Sequence, residues 1–153
     1  MKKSTLNEFR FITILVGIVA AFMIFLPSLI VKDTDSSYTG LEIAFGYEFL
    51  NLGGLGDGKF LFSFFNVLAY SLPLLAALLL FVSPKGYLGS AIIFGGAAVL
   101  LFLIPEFTVA TVTVLGIVNE VSVEWVYGSG LIIAASLSVL GLLINLMSIF
   151  RKA

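Results

Sequence analysis

Cysteine and histidine are both absent from the 153 residues of this sequence. Without cysteine there is no disulfide framework and no thiolate metal site, and without histidine there is no imidazole ligand and no histidine acid or base. Charged residues are also scarce, at 11% of the chain, against roughly 25% in an ordinary soluble domain. Most standard enzyme chemistries therefore lack their usual side chains, and the sequence predicts neither a cofactor nor a metal centre.

Hydrophobic residues, by contrast, make up 60% of the chain, a proportion typical of proteins that lie in a lipid bilayer. A helix needs roughly 20 residues to cross a hydrocarbon core of about 30 Å. Four uncharged stretches have about this length. We therefore predict an α-helical integral membrane protein, a single domain over residues 1–153 with a four-helix transmembrane bundle. The predicted spans are 11–31, 60–83, 87–105 and 126–150, and the outer loops are 32–59 and 106–125.

Local features set the limits of these spans. Pro27 is expected to bend or end the outer turn of the first helix. A tight Pro84-Lys85-Gly86 turn makes the second and third spans antiparallel neighbours. Extending the fourth span back to Val109 would bury Glu120 and Glu124, at about 2.5 to 3.5 kcal/mol for each carboxylate near the centre, so the span is started near Val126.

The basic residues predict the orientation in the membrane. With four spans both termini lie on one side, and only Lys32 and Lys59 fall on the other. The positive-inside rule therefore predicts a multi-pass protein of the cell membrane with both termini in the cytoplasm. The basic residues on the cytoplasmic side would be Lys2, Lys3, Arg10, Lys85, Arg151 and Lys152.

The two outer loops carry strand patterns. Residues 40–49 alternate apolar and small or acidic side chains, which is typical of a half-buried strand. Residues 108–124 contain two alternating, valine-rich segments separated by Leu115-Gly116, which predicts a β-hairpin. We expect residues 41–49 and this hairpin to form one small extracellular antiparallel sheet that caps the bundle. The glycine-rich segment 53–58 is interpreted as a flexible return to the second span.

Three polar patterns have competing interpretations. Asn66 and Asn145, inside spans, are expected to form interhelical hydrogen bonds rather than a substrate site. Glu42 and Glu48 share a face of the predicted strand but would lie about 20 Å apart, whereas glycosidase carboxylates lie about 5 to 9.5 Å apart. The segment 33–37 begins like a calcium loop and then departs from the pattern, which leaves divalent-cation binding as an alternative to a solvated acidic loop.

Partner binding is assigned to the outer sheet and the adjacent interface. Trp125 and Tyr127 fall where the outer membrane interface is expected, so they are either interfacial anchors or part of a partner hot spot. The predicted partner-binding residues are Leu41, Glu42, Ile43, Phe45, Tyr47, Glu48, Phe49, Glu120, Glu124 and Trp125.

The layout resembles small four-helix membrane proteins that recur in Gram-positive bacteria and mycoplasma relatives, most of which have no assigned function. The resemblance rests on a basic N-terminus, the outer-loop motif Tyr38-Thr39-Gly40-Leu41-Glu42-Ile43-Ala44-Phe45-Gly46, the Pro-Lys-Gly turn and the terminal Arg-Lys. The arrangement is also similar to the claudin and peripheral-myelin superfamily, which implies a bundle capped by a sheet from both outer loops. This chain lacks the paired loop cysteines and first-loop tryptophan of claudins, so the similarity implies architecture alone.

The absence of ionisable residues inside the predicted spans argues against transport by this chain alone, since ion pathways usually need an intramembrane acid, base or ion pair. The leading hypothesis is a non-enzymatic accessory, assembly or self-associating subunit that binds another membrane or extracellular protein, or a second copy, and no nucleic acid. An immunity or resistance protein against a membrane-acting toxin is the alternative. A transporter or intramembrane enzyme ranks third and would depend on Glu106, Glu120 or Glu124.

Overall fold

The computed structural model describes residues 3–151. Lys2 and Lys152, which contribute to the predicted orientation, lie outside the described residues. The helices are α1 Lys3–Phe22, α2 Gly40–Phe45, α3 Phe64–Val82, α4 Tyr87–Phe102, α5 Ile104–Phe107 and α6 Ser129–Phe150. The strands are β1 Pro27–Val31, β2 Ser37–Thr39, β3 Tyr47–Asn51, β4 Gly56–Phe60, β5 Ala110–Val114, β6 Ile117–Val121 and β7 Trp125–Tyr127.

Three helical stretches are long and apolar enough to cross a membrane, namely Asn7–Phe25, Phe64–Val82 and Ser129–Phe150. The apolar helix α4 is shorter, with 16 residues. These helices are consistent with the predicted membrane protein.

Four helices surround one core. Helix α1 contacts α3 and α6, and α4 contacts the same two helices, so the four close into a bundle. Phe94 of α4 is fully buried in this bundle. It lies against Gly141 of α6, where an added Cβ would come within 2.7 Å of the Phe94 ring. The close approach of α4 and α6 therefore requires a residue without a side chain at position 141.

The first predicted span is too long at its outer end. Helix α1 ends at Phe22, a 3₁₀ turn covers Met23–Phe25, and β1 begins at Pro27. Proline has no N–H to continue a helical ladder and disfavours helical backbone in the residue before it. Leu26 is accordingly extended, with φ −95° and ψ 162°.

The predicted strand over residues 40–49 is wrong in its first half. Gly40–Phe45 forms helix α2, and only Tyr47–Asn51 is a strand. The Thr39 side chain accepts a hydrogen bond from the Glu42 backbone N–H, and the Glu42 carboxylate accepts one from the Thr39 N–H at 2.7 Å. This capping box satisfies two backbone donors at the start of the helix. The Thr-x-x-Glu sequence therefore determines the local structure, and the alternation of apolar residues does not.

The outer region contains two antiparallel sheets rather than one. The first has the order β3-β4-β5-β6 and the second the order β2-β1-β7. The predicted hairpin is confirmed, because β5 and β6 are joined by Leu115-Gly116 with positive φ at both residues. Such two-residue loops match the twist of a hairpin. Residues 125–127 leave this hairpin and join the second sheet as β7.

The glycine-rich segment is not a simple flexible return. Its second half is β4, which pairs with β3 on one side and β5 on the other. A Cβ added to Gly58 would lie 2.6 Å from the Phe49 ring. Glycine therefore allows an aromatic side chain of β3 to cross closely over β4, a requirement that is not visible in composition alone.

Candidate functional site

An aromatic cluster joins the two outer sheets. Tyr38 of β2 contacts Phe60 of β4 edge-on at 4.6 Å between ring centroids, and Phe60 contacts Phe49 at 4.9 Å and Trp125 of β7 at 5.8 Å. Burial, together with the nearby Tyr47 and Glu42, raises the pKa of the Tyr38 phenol above its usual value. Because the rings come from both sheets, the outer region is one packed cap.

A buried amide fastens this cap to the bundle. The Asn66 side chain of α3 is fully buried, and its Nδ2 donates to the Ile43 carbonyl at 3.1 Å and to Thr108 Oγ1 at 2.9 Å. Thr108 in turn donates to the Ile104 carbonyl at 2.9 Å. Ile43 and Thr108 belong to different outer loops, so Asn66 links both loops to α3.

Asn145 forms the interhelical hydrogen bond that was predicted. Its Nδ2 donates to Ser90 Oγ of α4 at 2.9 Å, and Ser90 donates to the Ala76 carbonyl of α3 at 3.1 Å. Asn66, by contrast, forms its hydrogen bonds with the two outer loops and not with another helix of the bundle. Both asparagines therefore have structural partners within the chain.

The predicted partner-binding residues differ in their exposure to solvent. Ile43 is fully buried beneath the cap and is not available to a partner. Glu124 pairs with Lys32 at 2.7 Å, an exposed ion pair of the kind that contributes little. The half-buried members are Leu41, Glu42, Phe49 and Trp125, and the exposed ones are Phe45, Tyr47, Glu48, Glu120 and Glu124. Partner binding through the exposed members stays a prediction.

The acidic loop Asp33–Ser37 is exposed. Within residues 3–151, no group of three or more acidic side chains is arranged to hold a metal ion. Glu42 and Glu48 lie on a helix and a strand, respectively, so the shared strand face assumed for them does not exist.

An exposed apolar surface of the cap lies outside most of the predicted partner-binding residues. It comprises β6, the turn that precedes it and Val114 at the end of β5, and we call it the β6 edge. The large apolar residues Val114, Leu115, Ile117, Val118 and Val121 are each between 41% and 75% exposed. Strand β6 has a neighbour on one side only, since it is the last strand of its sheet. The run of apolar residues around the Leu115-Gly116 turn was the signal available in the sequence.

A second feature lies where the cap meets the ends of the helices. A cavity of about 480 Å³, which we call the outer cavity, is lined by Glu106 of α5, Thr108, Ser122 and the aromatic residues Trp125 and Tyr127. The Tyr127 hydroxyl donates to the Phe102 carbonyl at 2.9 Å, which fixes one wall of the cavity.

Comparisons with protein-family models, curated proteins and solved structures found no match. The resemblances stated from the sequence therefore stay predictions, and function is inferred from the chemistry of the β6 edge and the outer cavity.

Proposed function

We propose that this chain is a four-span integral membrane protein, with both termini in the cytoplasm, that acts by binding another protein at the β6 edge rather than by catalysis. The exposed apolar β6 edge carries this proposal. Helix α4 rises about 24 Å at 1.5 Å per residue, and α5 adds a further turn after Leu103. All four helices of the bundle would then cross the membrane.

The backbone of β6 offers unpaired hydrogen-bonding groups. Val114 and Ile117 flank the two-residue turn and form the closing pair of the hairpin. Hydrogen-bonded and non-hydrogen-bonded pairs alternate along an antiparallel ladder. The N–H and C=O groups of Val118 and Glu120 therefore point away from β5, towards the open side of the sheet.

The β6 edge lacks the usual protection against strand pairing. Natural edges are commonly blunted by lysine, proline or a bulge. Residues 117–121 contain neither lysine nor proline, and the pairing with β5 is regular. Such an edge can accept an extended segment as an added strand.

Charge indicates the chemistry of that segment. Residues 86–150 contain no lysine or arginine, and Glu120 is the fourth of the five residues of β6. Opposite charges on facing strands stabilise a sheet, and like charges oppose pairing. We infer that the partner is a membrane or extracellular protein with an extended segment that carries alternating apolar residues and a lysine or arginine opposite Glu120.

Paired substitutions at Val118 test strand addition. A photo-crosslinking residue at position 115, outside the ladder, is expected to give a discrete adduct in native membranes. Val118→Pro removes an outward N–H and should abolish the adduct, because an edge proline cannot donate to an added strand. Val118→Ala keeps the N–H, removes a similar amount of apolar surface and should retain most of the adduct.

Equal adduct yields in the two variants would contradict strand addition, and absence of any adduct in the parent protein would contradict association at this edge. An adduct of twice the monomer mass would replace the proposed partner with a second copy of the chain. Circular dichroism of both purified variants checks that the hairpin remains folded.

A further inference from the structure

We propose that the outer cavity binds an alkylammonium group, held by the carboxylate of Glu106 and the rings of Trp125 and Tyr127. This site adjoins the β6 edge and shares Val121 with it, but the proposal does not depend on strand addition there. The class of ligand is inferred from the carboxylate, the aromatic side chains and the hydroxyl groups that line the outer cavity.

No basic side chain in the described part of the chain forms an ion pair with the Glu106 carboxylate. Ion pairs within residues 3–151 join Lys32 to Glu124 and Lys59 to Asp57, and Glu106 takes part in neither. Glu106 is exposed at the cavity, and no basic residue lines it. A cation from outside would supply the missing charge.

The two rings are held in place before any ligand binds. Trp125 contacts Phe60 at 5.8 Å and Tyr38 at 6.2 Å between centroids, and Tyr127 is fixed by its hydrogen bond to the Phe102 carbonyl. Cations within about 6 Å of a ring centroid are attracted to its face, and aromatic walls are the recurring means of recognising quaternary ammonium groups. Fixed rings lose little conformational freedom on binding.

Other ligand classes fit less well. A divalent metal prefers several oxygen ligands, and among the described residues that line the cavity Glu106 alone is acidic. An anion would be repelled by that carboxylate. The hydroxyl groups of Thr108 and Ser122 make the lining unsuitable for a purely apolar molecule.

The ammonium group could belong to a lipid headgroup or to a soluble amine. The outer cavity adjoins α5 and the residues that precede α6. In the proposed topology this is the level of the lipid headgroups, so the experiment must separate the two sources.

The single tryptophan of the chain reports directly on the cavity. The full-length protein is placed in phosphatidylglycerol nanodiscs, which carry no ammonium group, and titrated with choline chloride. A saturable change in Trp125 fluorescence is expected with choline. The same change should be absent with sodium chloride at equal ionic strength and with 3,3-dimethylbutan-1-ol, the neutral isostere of choline.

Charge-removing variants locate the site. Glu106→Gln should weaken choline binding about tenfold, the equivalent of about 1.4 kcal/mol. Asp35→Asn is the matched control, because this exposed carboxylate does not line the outer cavity, and it should leave choline binding unchanged. Equal affinities of Glu106→Gln and the parent protein would overturn the proposal.

Repeating the choline titration in phosphatidylcholine nanodiscs distinguishes a lipid headgroup from a soluble amine as the ligand. Weaker apparent binding of free choline there indicates that a lipid headgroup occupies the cavity, and unchanged binding indicates a soluble amine; both results support an ammonium site. If Glu106→Gln does not fold, the choline and alcohol titrations of the parent protein decide the question. Identical responses to the two, or no saturable response to choline in phosphatidylglycerol, would overturn the proposal.

Discussion

The side chain of Asn66 connects three segments of the chain, namely α3 and the two outer loops. Its amide donates to Ile43 in one outer loop and to Thr108 in the other, from a fully buried position in α3. A buried carbonyl that loses its donor bears the cost of desolvation, typically about 1 to 3 kcal/mol. Asn66 therefore contributes to the attachment of the cap as well as to the bundle.

Replacing this amide should loosen the cap. Asn66→Leu is expected to lower the free energy of unfolding by about 1 to 3 kcal/mol, because Ile43 and Thr108 lose their shared donor. The measurement is denaturant unfolding in mild detergent, as a double-mutant cycle with Thr108→Val. We expect a coupling energy of about 0.6 to 2 kcal/mol. Additive effects of the two substitutions would show that the hydrogen bond does not stabilise the fold.

The sequence identified Asn66 and Asn145 as structural residues but could not assign the partners of Asn66. Asn145 faces another helix of the bundle, which follows from its position inside a span. The partners of Asn66 are separated from it by 23 and 42 residues. Ile43 and Thr108 reach the same amide only because both outer loops fold back onto α3. No local sequence pattern predicts the course of these loops.

Among the elements, α4 and α6 pack too closely to admit a side chain at position 141. Gly141 leaves room for the ring of the fully buried Phe94, and a Cβ at position 141 would meet three ring atoms at 2.7 to 2.8 Å. Interhelical contacts in membranes rely on such small residues because they let backbones approach closely.

A methyl group at this contact should separate the two helices. Gly141→Ala is expected to lower the free energy of unfolding by about 1 to 3 kcal/mol through overpacking. Gly95→Ala is the matched control, because its added Cβ would meet no atom nearer than 3.9 Å. That control should stabilise α4 by about 0.5 to 1 kcal/mol, the usual gain from replacing a helical glycine. Unfolding in mild detergent measures both, and a neutral Gly141→Ala would contradict the tight contact.

Elements with strong local signals were predicted well, and elements defined by distant partners were not. The long apolar helices follow from uncharged runs, and the β5–β6 hairpin follows from valine-rich segments around Leu115-Gly116. Helix α2 was missed because an apparent alternation masked its capping box. Strand β4 was missed because its glycines make room for Phe49 and for strand β5, and these neighbours come from other parts of the chain.

For the whole molecule, the proposed topology places the cap and the α3–α4 turn on opposite sides of the membrane. Gly54 lies in the cap, is exposed and has no atom within 4 Å of an added Cβ. Lys85 is exposed in the turn between α3 and α4. Because the chain has no cysteine, one introduced thiol gives an unambiguous label.

The topology predicts opposite labelling at these two positions. Gly54→Cys should react with an impermeant thiol reagent in intact cells, whereas Lys85→Cys should react only after lysis, because α3 separates the two sites. The reverse pattern would invert the orientation. Labelling of both residues in intact cells would show that α3 does not cross the membrane.

The position of Thr108 also bears on how the protein is made. Asn66 enters the nascent chain 42 residues before its hydroxyl partner. Until that partner is synthesised, the amide at the outer end of α3 has an incomplete set of hydrogen bonds. Release of α3 from the insertion machinery into lipid should therefore follow translation of the second outer loop. Cap closure would then time the release of α3, before α6 inserts.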